Sequence, residues 1–251
     1  MKIVIIGGSG LIGKKLGKNL LSSGHEVLSA SPSSGVDAVT GKGLTEALKG
    51  AQVVVDVANT ATFDEKTAVD FFEKTNQNLA KAEKEAGVKH HVALSIVGTD
   101  RLAKSGYFRA KYIQEQLVKA SGIPYTIVQA TQFFEFLNAI AQSATIGQEV
   151  HLPPVFFQPM AADDVAAILA DTAVKSALNK TIEIAGPGRA LFPDFIQNYL
   201  KSIQDTRKVV ADDKATYFGM AVNEGALVPG GSNPRIGPTT LENWLKQQKA
   251  I

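Results

Sequence analysis

A short apolar strand followed at once by three regularly spaced glycines constrains this chain more than any other feature. Residues 2–6 read Lys-Ile-Val-Ile-Ile, and glycines follow at positions 7, 10 and 13. An amphipathic segment comes next, with leucine or isoleucine at helical spacing at positions 11, 12, 16, 20 and 21. This order predicts a β-turn-α unit. In it, Gly7 allows the tight turn, Gly10 lets a ligand approach the backbone, and Gly13 lets the helix pack closely on the strand.

Such a unit is typical of sites that bind the diphosphate of a dinucleotide. The first turn of the helix presents backbone N–H groups and the positive end of the helix dipole to the anion. An ordinary glycine-rich turn is the alternative, and the preceding strand and following helix argue against it. We therefore predict cofactor contacts from six consecutive or near-consecutive positions: Gly7, Ser9, Gly10, Leu11, Ile12 and Gly13.

Composition narrows the class of protein. The chain has 251 residues, of which 45% are hydrophobic and 20% charged, with a net charge of +2. These values are ordinary for a globular enzyme, and the scattered Lys and Arg residues give no footprint for nucleic acid or a membrane surface. No segment is long and apolar enough to suggest a membrane span or a signal peptide. The chain contains no cysteine, which excludes disulfides and thiolate catalysis and fits a cytoplasmic location.

Strand-like and helix-like segments alternate over the first 131 residues, as in a parallel sheet with right-handed crossovers. Strands are indicated at 2–6, 25–30, 52–57, 91–97 and 125–130, and helices after the first at 44–49, 65–86 and 107–121. Later in the chain, a helix is indicated after Asp163 or Asp164 and a strand at 181–185. From Gly186 the sequence reads as loop, with a final helix from about Thr240.

We predict an α/β fold, a Rossmann-type doubly wound parallel sheet with a small C-terminal substrate lobe. The dinucleotide-binding core takes residues 1–131 and is rejoined by 159–185. The lobe takes 132–158 and 186–251. In open α/β sheets, ligands bind at the carboxyl ends of the strands, and the site is expected at that edge.

The end of the second strand bears on the choice of dinucleotide. NAD-specific folds usually carry an acidic residue there, which holds the ribose 2′-hydroxyl. Here the chain has hydroxyls instead, and Ser31, Ser33 and Ser34 could bind a 2′-phosphate. We therefore expect NADP(H) to be preferred over NAD(H), with a serine turn that touches no ligand as the alternative. Asn59, after the third strand, is expected to line the cofactor, or else to cap a turn.

Tyr107 and Lys111 are the candidate catalytic pair. Residues four apart share one helix face, so the phenol and the ammonium can point the same way. A nearby ammonium favours the phenolate and should lower the tyrosine pKa. The phenol could donate a proton to a carbonyl oxygen while a nicotinamide delivers hydride, and Ser95 could orient the same oxygen. A stacked surface pair is the alternative.

These residues together resemble the short-chain dehydrogenase/reductase superfamily, with the glycine spacing of its atypical branches. More specifically, residues 107–134 resemble the NmrA-like NAD(P)-binding proteins, and so do residues 94–99 and 158–165. The resemblance covers nearly the whole chain. It implies a Rossmann core, NADP(H) as the usual ligand, and reductase activity on quinones, aldehydes or other carbonyls. It also implies that Lys111 holds the nicotinamide ribose.

Aromatic residues cluster where this fold places its substrate pocket. The predicted pocket residues are Phe63, Thr131, Gln132, Phe133 and Phe134. Their types favour an apolar and possibly ring-shaped substrate, although core packing is the alternative for several of them. The four histidines show no spacing of metal ligands, so no metal is expected.

The resulting hypothesis is an NADPH-dependent oxidoreductase that reduces a small, largely apolar carbonyl or quinone. A non-catalytic protein that senses NADP(H) and acts on a partner is the second hypothesis, and a sugar-nucleotide epimerase is the third. The short C-terminal lobe has few basic residues for a second diphosphate, which disfavours the third. We expect a small-molecule substrate, no nucleic-acid or membrane partner, and a monomer or homodimer.

Overall fold

A computed structural model describes residues 1–62, 64–103 and 106–249. In chain order the elements are β1 (Lys2–Ile6), α1 (Leu11–Ser22), β2 (Glu26–Ala30), α2 (Leu44–Leu48), β3 (Val53–Asp56), α3 (Glu65–Ala86), β4 (His90–Ile96), α4 (Gly106–Ala120), β5 (Tyr125–Ala130), α5 (Leu137–Ser143), β6 (Thr145–Ile146), β7 (Glu149–Leu152), β8 (Phe156–Phe157), α6 (Ala162–Ala173), β9 (Lys180–Ala185), β10 (Ala190–Leu191), α7 (Phe192–Ser202), β11 (Lys208–Ala211), β12 (Arg235–Ile236) and α8 (Leu241–Lys249). The alternation predicted for the first 131 residues is confirmed, with strand and helix ends displaced by three residues or fewer.

The central sheet has seven strands in the order β12-β9-β5-β4-β3-β1-β2. The pairs β1–β2, β1–β3, β3–β4 and β9–β12 are parallel. The chain runs outward from β1 to β2 and then returns to the other side of β1 to form β3. This reversal is a topological switch point, and the crevice at the carboxyl ends of β1 and β3 is where such sheets bind ligands.

Burial explains why the first strand and helix form where they do. Ile3, Val4 and Ile5 on β1 are fully buried, as expected for a strand covered on both faces. On α1 the positions that face the sheet include Leu16 and Leu20, which are no more than 1% exposed. The sequence pattern also included two leucines that the structure leaves at the surface, at positions 11 and 21.

The chain forms two compact units, each from two segments. One unit comprises residues 1–129 and 165–182, and the other comprises 130–164 and 183–251. The second unit contains α5, α7 and α8 and two small sheets, β10-β8 and β11-β7-β6.

The expectation that the chain is mainly loop from Gly186 to the final helix is wrong, because α7 forms there. Pro193 lies in the first turn of α7, where proline is tolerated since its missing N–H needs no intrahelical partner. The buried side chains of α7 recur at helical spacing, at Phe192, Phe195, Ile196, Tyr199 and Leu200. The sequence therefore held a helix signal that the neighbouring glycines and prolines obscured.

Within the described residues, none of the helices combines the length and the apolar character needed to cross a bilayer. The cytoplasmic location stays a prediction.

Candidate cofactor and active site

The loop between β1 and α1 is shaped by backbone contacts that only glycine permits. Gly7 has a φ of +82°, and a Cβ on it would lie 2.8 Å from the Cα of Ala58, just after β3. A Cβ on Gly8 would lie 2.6 Å from the Cβ of Ser29 on β2. A Cβ on Gly13 would collide with the carbonyl oxygen of Gly7. The geometry therefore agrees with the turn and the close helix packing expected of Gly7 and Gly13, and it adds Gly8.

Gly10 differs from these glycines because a Cβ on it would meet one backbone atom and would not overlap it. Among the described residues, only the carbonyl oxygen of Gly7 comes within 4 Å of a Cβ built on Gly10, at 3.3 Å. Gly10 is the N-cap of α1, so the amides of Leu11 and Ile12 lie in the first turn, where no intrahelical carbonyl can accept their N–H groups. Ser9 and Leu11 have exposed side chains, whereas the Ile12 side chain is buried. An open glycine beside these amides fits the diphosphate of a dinucleotide.

The serines after β2 form a compact turn. The Ser34 hydroxyl accepts a hydrogen bond from the Ser31 amide and donates one to the Ser31 carbonyl, both at 2.9 Å. The hydroxyls of Ser31 and Ser33 lie 2.8 Å apart. The first acid beyond the turn, Asp37, accepts a hydrogen bond from the Val39 amide at 2.9 Å. The turn thus presents hydroxyls and no carboxylate, which is compatible with a 2′-phosphate.

Asn59 and Tyr107 meet in the structure, although they are 48 residues apart in sequence. The Tyr107 hydroxyl donates a hydrogen bond of 2.6 Å to Asn59 Oδ1. Burial raises the pKa of the Tyr107 phenol above its usual value, and the hydrogen bond to Asn59 offsets this only in part. The expected lowering of this pKa by Lys111 is wrong for this structure, because desolvation of the phenolate is the larger effect. The phenol is therefore protonated near neutral pH.

Lys111 lies one turn further along α4 and is 3% exposed. Its Nζ donates a hydrogen bond of 2.8 Å to the Leu94 carbonyl on β4 and lies 4.6 Å from the centre of the Phe72 ring. Burial lowers the pKa of Lys111 to about 8, while the charges of Asp56 and Glu115 act in the opposite direction. The side chain is thus a buried ammonium that can lose its proton in mildly alkaline solution.

Ser95 does not contact Tyr107 through any described hydrogen bond. Its hydroxyl donates a hydrogen bond of 2.5 Å to Glu115 Oε1. The same carboxylate oxygen accepts hydrogen bonds from Thr99 at 3.0 Å and from Gln129 at 2.8 Å. The predicted role of Ser95 in orienting a substrate carbonyl stays a prediction, and its proton is engaged elsewhere in this structure.

Sequence reasoning missed the two acids near Lys111. Asp56 ends β3, is 1% exposed, and accepts hydrogen bonds from the Ala58 amide at 3.0 Å and from Gln114 Nε2 at 3.1 Å. Glu115 lies four residues after Lys111 on the same helix face, a spacing that could have identified it. The position of Asp56 at the carboxyl end of a central strand was a second available signal.

The predicted pocket residues after β5 belong to the second unit. Thr131 is 1% exposed, and its hydroxyl and Gln132 Oε1 are buried without a hydrogen-bond partner among the described residues. Phe133 is half-buried and stacks on the exposed ring of Phe136, with ring centres 5.7 Å apart. Phe134 is 2% exposed, and its ring lies 5.7 Å from that of Trp244, so its packing is that of a core residue rather than of a pocket wall. The predicted pocket residue Phe63 lies outside the described residues.

The histidines have ordinary structural partners. His90 Nε2 lies 2.9 Å from the Thr126 hydroxyl, and His91 Nδ1 lies 2.7 Å from Glu83 Oε1. The two neighbours thus have different partners, as expected on a strand. In the described part of the chain, no group of three or more His, Cys, Asp or Glu side chains is arranged to hold a metal ion.

The chain belongs to the NAD(P)H-binding family, whose model matches residues 7–176. This range contains the glycine loop, Asn59, Tyr107 and Lys111. The superfamily that the sequence resembles is thereby confirmed, and so is a nicotinamide dinucleotide as the cofactor.

Two curated relatives show the range of proteins to which the chain is similar. The chloroplastic divinyl chlorophyllide a 8-vinyl-reductase of Cucumis sativus is 27% identical over an alignment of 231 residues, and the match covers 76% of this chain and 54% of that protein. A photosystem II assembly factor of Cyanophora paradoxa is 24% identical over an alignment of 151 residues, and the match covers 55% of this chain and 47% of that protein. The chain spans about half the length of the curated relatives it matches.

An NADPH-dependent quinone oxidoreductase of Escherichia coli has a similar structure. The TM-score is 0.70 at 17% identity, and the match covers 98% of this chain and 99% of that one. Likeness at this level of identity shows the fold alone, and it confirms the Rossmann-type α/β class. The chain is therefore an NAD(P)H-binding protein with a Rossmann-type α/β fold.

Proposed function

We propose that this protein is an NADPH-dependent oxidoreductase of the short-chain dehydrogenase/reductase type that reduces a small, largely apolar carbonyl or quinone. The observation that carries the proposal is the arrangement of Tyr107, Asn59 and Lys111. A protonated phenol is held by Asn59 just after β3, and a buried ammonium lies one helical turn away. Asn59 lies three residues after the end of β3, and the glycine loop follows β1, so both belong to the strand ends at the switch point of the sheet.

Different residues of the chain would bind the cofactor and transfer the proton. The amides of the first turn of α1 would hold the diphosphate, and Lys111 would hold the nicotinamide ribose. When bound, the nicotinamide supplies hydride to the substrate carbon. Tyr107 would give its proton to the substrate oxygen, which yields the alcohol from an aldehyde or ketone. With a quinone, hydride would add to a ring carbon conjugated with the carbonyl, and tautomerisation of the protonated product would give the hydroquinone. The phenolate that remains then regains its proton from water.

The preference for NADP(H) rests on the turn of Ser31, Ser33 and Ser34. A carboxylate in that turn would repel a 2′-phosphate, whereas hydroxyls can donate hydrogen bonds to it. Titration of the protein with NADPH and NADH should give tighter binding of NADPH. Equal or tighter binding of NADH contradicts the preference.

The substrate class rests on the segment after β5. Thr131 and Gln132 supply buried polar atoms without described partners, and Phe133 supplies a half-buried ring stacked on the exposed Phe136. Such a segment suits a flat apolar molecule that carries a polar group. The vinyl reductase among the relatives adds conjugated alkenes to the quinones and aldehydes that should be screened.

The test is NADPH oxidation by the purified protein in the presence of such a panel. Tyr107→Phe removes the proton donor and keeps the ring, so kcat should fall by about 100-fold or more while NADPH binding is retained. Lys111→Ala should weaken NADPH binding and also reduce kcat. Tyr107→Phe also removes the hydrogen bond between Tyr107 and Asn59. Asn59→Ala is the control for that loss, because it removes the same hydrogen bond and keeps the phenol. Full activity of Tyr107→Phe contradicts the assigned proton donor.

The second candidate function is a non-catalytic protein that binds NADP(H) and regulates a partner. The similarity to a photosystem II assembly factor favours including it, because that name describes assembly rather than catalysis. Tight NADPH binding with no oxidation across the whole panel would support this candidate and contradict the reductase.

A further inference from the structure

Phe72 on helix α3 is fully buried, and its ring contacts both members of the candidate catalytic pair. We propose that Phe72 is a positioning residue whose ring face holds the charged ammonium of Lys111, so that the ammonium can bind the nicotinamide ribose. The inference rests on the proposed function for its catalytic meaning. The contact between the ring and the ammonium is a property of the free protein and can be tested there.

The Lys111 ammonium lies over the face of the Phe72 ring. Its Nζ is 4.6 Å from the ring centre, within the distance of about 6 Å over which an aromatic face attracts a cation. Lys111 is 3% exposed and Phe72 is 0% exposed. Because both groups are shielded from water, the contact belongs to the desolvated and therefore stronger kind of cation–π interaction.

A hydrogen bond to β4 also fixes the ammonium. Lys111 Nζ donates to the Leu94 carbonyl at 2.8 Å. An ammonium has three N–H donors, and an aromatic face stabilises its charge without being a conventional acceptor. The Leu94 carbonyl and the Phe72 ring together therefore hold the ammonium in place while leaving donor capacity for the ribose hydroxyls.

The same ring packs against Tyr107. The ring centres of Phe72 and Tyr107 are 6.2 Å apart, with an angle of 61° between the ring planes. Tyr107 also packs against the buried cluster to which Phe72 belongs. Since Tyr107 and Lys111 lie one turn apart on α4, a single side chain of α3 contacts both the phenol ring and the ammonium.

Two features hold α3 against α4 near the Phe72 ring. Ala68 of α3 and Ala110 of α4 are fully buried in one cluster, and such small side chains let two helices approach closely. Where the two helices begin, Glu65 Oε2 accepts a hydrogen bond of 2.6 Å from the Gly106 amide. The position of the ring relative to α4 is therefore fixed by packing and by a hydrogen bond.

Charged groups act on Lys111 as well. Burial lowers its pKa to about 8, and the charges of Asp56 on β3 and Glu115 on α4 act in the opposite direction. Tyr107 on α4 is protonated near neutral pH and adds no charge there. The ring face is a separate source of stabilisation for the charged form, and it can be altered while both acids stay in place. A change confined to the ring therefore isolates its contribution.

The test replaces Phe72 with mono-, di- and trifluorinated phenylalanine. Fluorine withdraws electron density from the ring face, so it weakens the attraction for a cation in steps while the ring nearly keeps its shape. The Lys111 pKa should fall stepwise from about 8, by about one unit for the trifluorinated ring. NMR of the free protein with isotope-labelled lysine follows the Cε signal from about pH 6 to pH 10. Loss of that signal in Lys111→Arg assigns it.

Phe71 provides the matched control, because it is the neighbouring phenylalanine on α3 and its described ring contact is with Phe72, at 5.2 Å between ring centres. The same fluorinated residues at position 71 should leave the Lys111 pKa unchanged. Phe72→Leu removes the ring and keeps an apolar side chain, so it should lower the pKa as far as the trifluorinated ring does. If Phe72→Leu does not fold, as judged by circular dichroism, the fluorinated series still decides, since its rings fill nearly the same space.

Under the proposed function, the pKa shift should change cofactor binding. At about pH 7.5, a fall in the Lys111 pKa from about 8 to about 7 reduces the charged fraction of the side chain about threefold. The Kd for NADPH of the trifluorinated protein should rise by about the same factor at this pH. At about pH 6 the lysine is charged in both proteins, and the two Kd values should differ much less.

Two results would overturn the inference. One is a Lys111 pKa that stays the same across the fluorinated series at position 72. The other is an equal fall in this pKa when the same residues replace Phe71, which would assign the shift to general packing on α3. Both measurements need no cofactor or substrate, so their outcome does not depend on the proposed function. Failure of the proposed function would appear instead as no oxidation of NADPH by the wild-type protein with any substrate of the panel.

Discussion

Gly10→Ala should separate the binding of the cofactor from the stability of the fold. Gly10 has φ −77° and ψ 179°, which alanine adopts without strain. Its new Cβ would lie 3.3 Å from the Gly7 carbonyl oxygen, a contact that a small shift relieves. Alanine is also a poorer N-cap residue than glycine. Together, the close contact and the poorer N-cap should decrease the free energy of unfolding by about 1 kcal/mol. The protein should remain folded.

Gly10→Ala should weaken NADPH binding by more than it lowers the free energy of unfolding. The methyl group would occupy the open side of Gly10, beside the amides of the first turn of α1, where the diphosphate is proposed to approach. A loss of at least about 1.4 kcal/mol, or tenfold in Kd for NADPH, is expected from displacing an anion that the helix N-terminus binds. Isothermal titration calorimetry with NADPH measures the Kd, and urea denaturation measures the stability of the same sample.

Gly17→Ala is the matched control on the same helix. A Cβ there would make ordinary contacts of 3.7 Å with Ile5 and with Ser29, and alanine in a helix interior should add about 0.5–1 kcal/mol of stability. Its Kd for NADPH should equal that of the wild type. A Kd for Gly10→Ala within twofold of the wild type would refute the placement of the diphosphate at Gly10.

Three further perturbations test other parts of the structure. Gly13→Ala forces a Cβ against the Gly7 carbonyl and should lower the free energy of unfolding by about 1–3 kcal/mol in urea titrations. Burial lowers the pKa of His90 to about 4, so the folded protein binds this proton more weakly than the unfolded chain does. The free energy of unfolding should therefore decrease as the pH falls from 6.5 towards 4, and less steeply in His90→Asn. Thr239→Val removes a 2.8 Å hydrogen bond to Asp164 and should cost about 1 kcal/mol, measured as a lower Tm.

Each of these expectations has a contrary result. An unchanged urea midpoint for Gly13→Ala would mean that α1 can move away from the loop without cost. Identical acid dependence in the wild type and His90→Asn would assign the acid sensitivity to other groups. An unchanged Tm for Thr239→Val would mean that the Asp164 contact makes no net contribution.

Local features of the sequence predicted the turn at Gly7 and the helix that carries Tyr107 and Lys111. The φ of Gly7 and the helical face of α4 depend on residues within a few positions of one another, and such features are visible in the sequence. The α7 helix was missed although its apolar spacing was present, because the whole segment from Gly186 to the final helix was interpreted as loop. Pro193 is instead part of the first turn of α7.

Features that depend on tertiary contacts were not predictable in the same way. Ser95 and Glu115 are 20 residues apart, and Tyr107 and Asn59 are 48 apart, so their pairing requires the sheet to be assembled first. The sequence also predicted the wrong direction for the shift in the Tyr107 pKa, for a related reason. Spacing indicates which charges are near, whereas desolvation depends on everything that covers the phenol.

Each compact unit is built from two segments that are separate in sequence, and this limits how chimeras of the protein and its relatives can be made. The polypeptide passes between the units after residues 129, 164 and 182. A chimera with a single crossover would separate partners such as Asp164 and Thr239, which are 75 positions apart but hydrogen-bonded within one unit. Grafting a new specificity onto this scaffold therefore requires that 130–164 and 183–251 be exchanged together, while residues 165–182, which include most of α6 and the start of β9, are retained from the host.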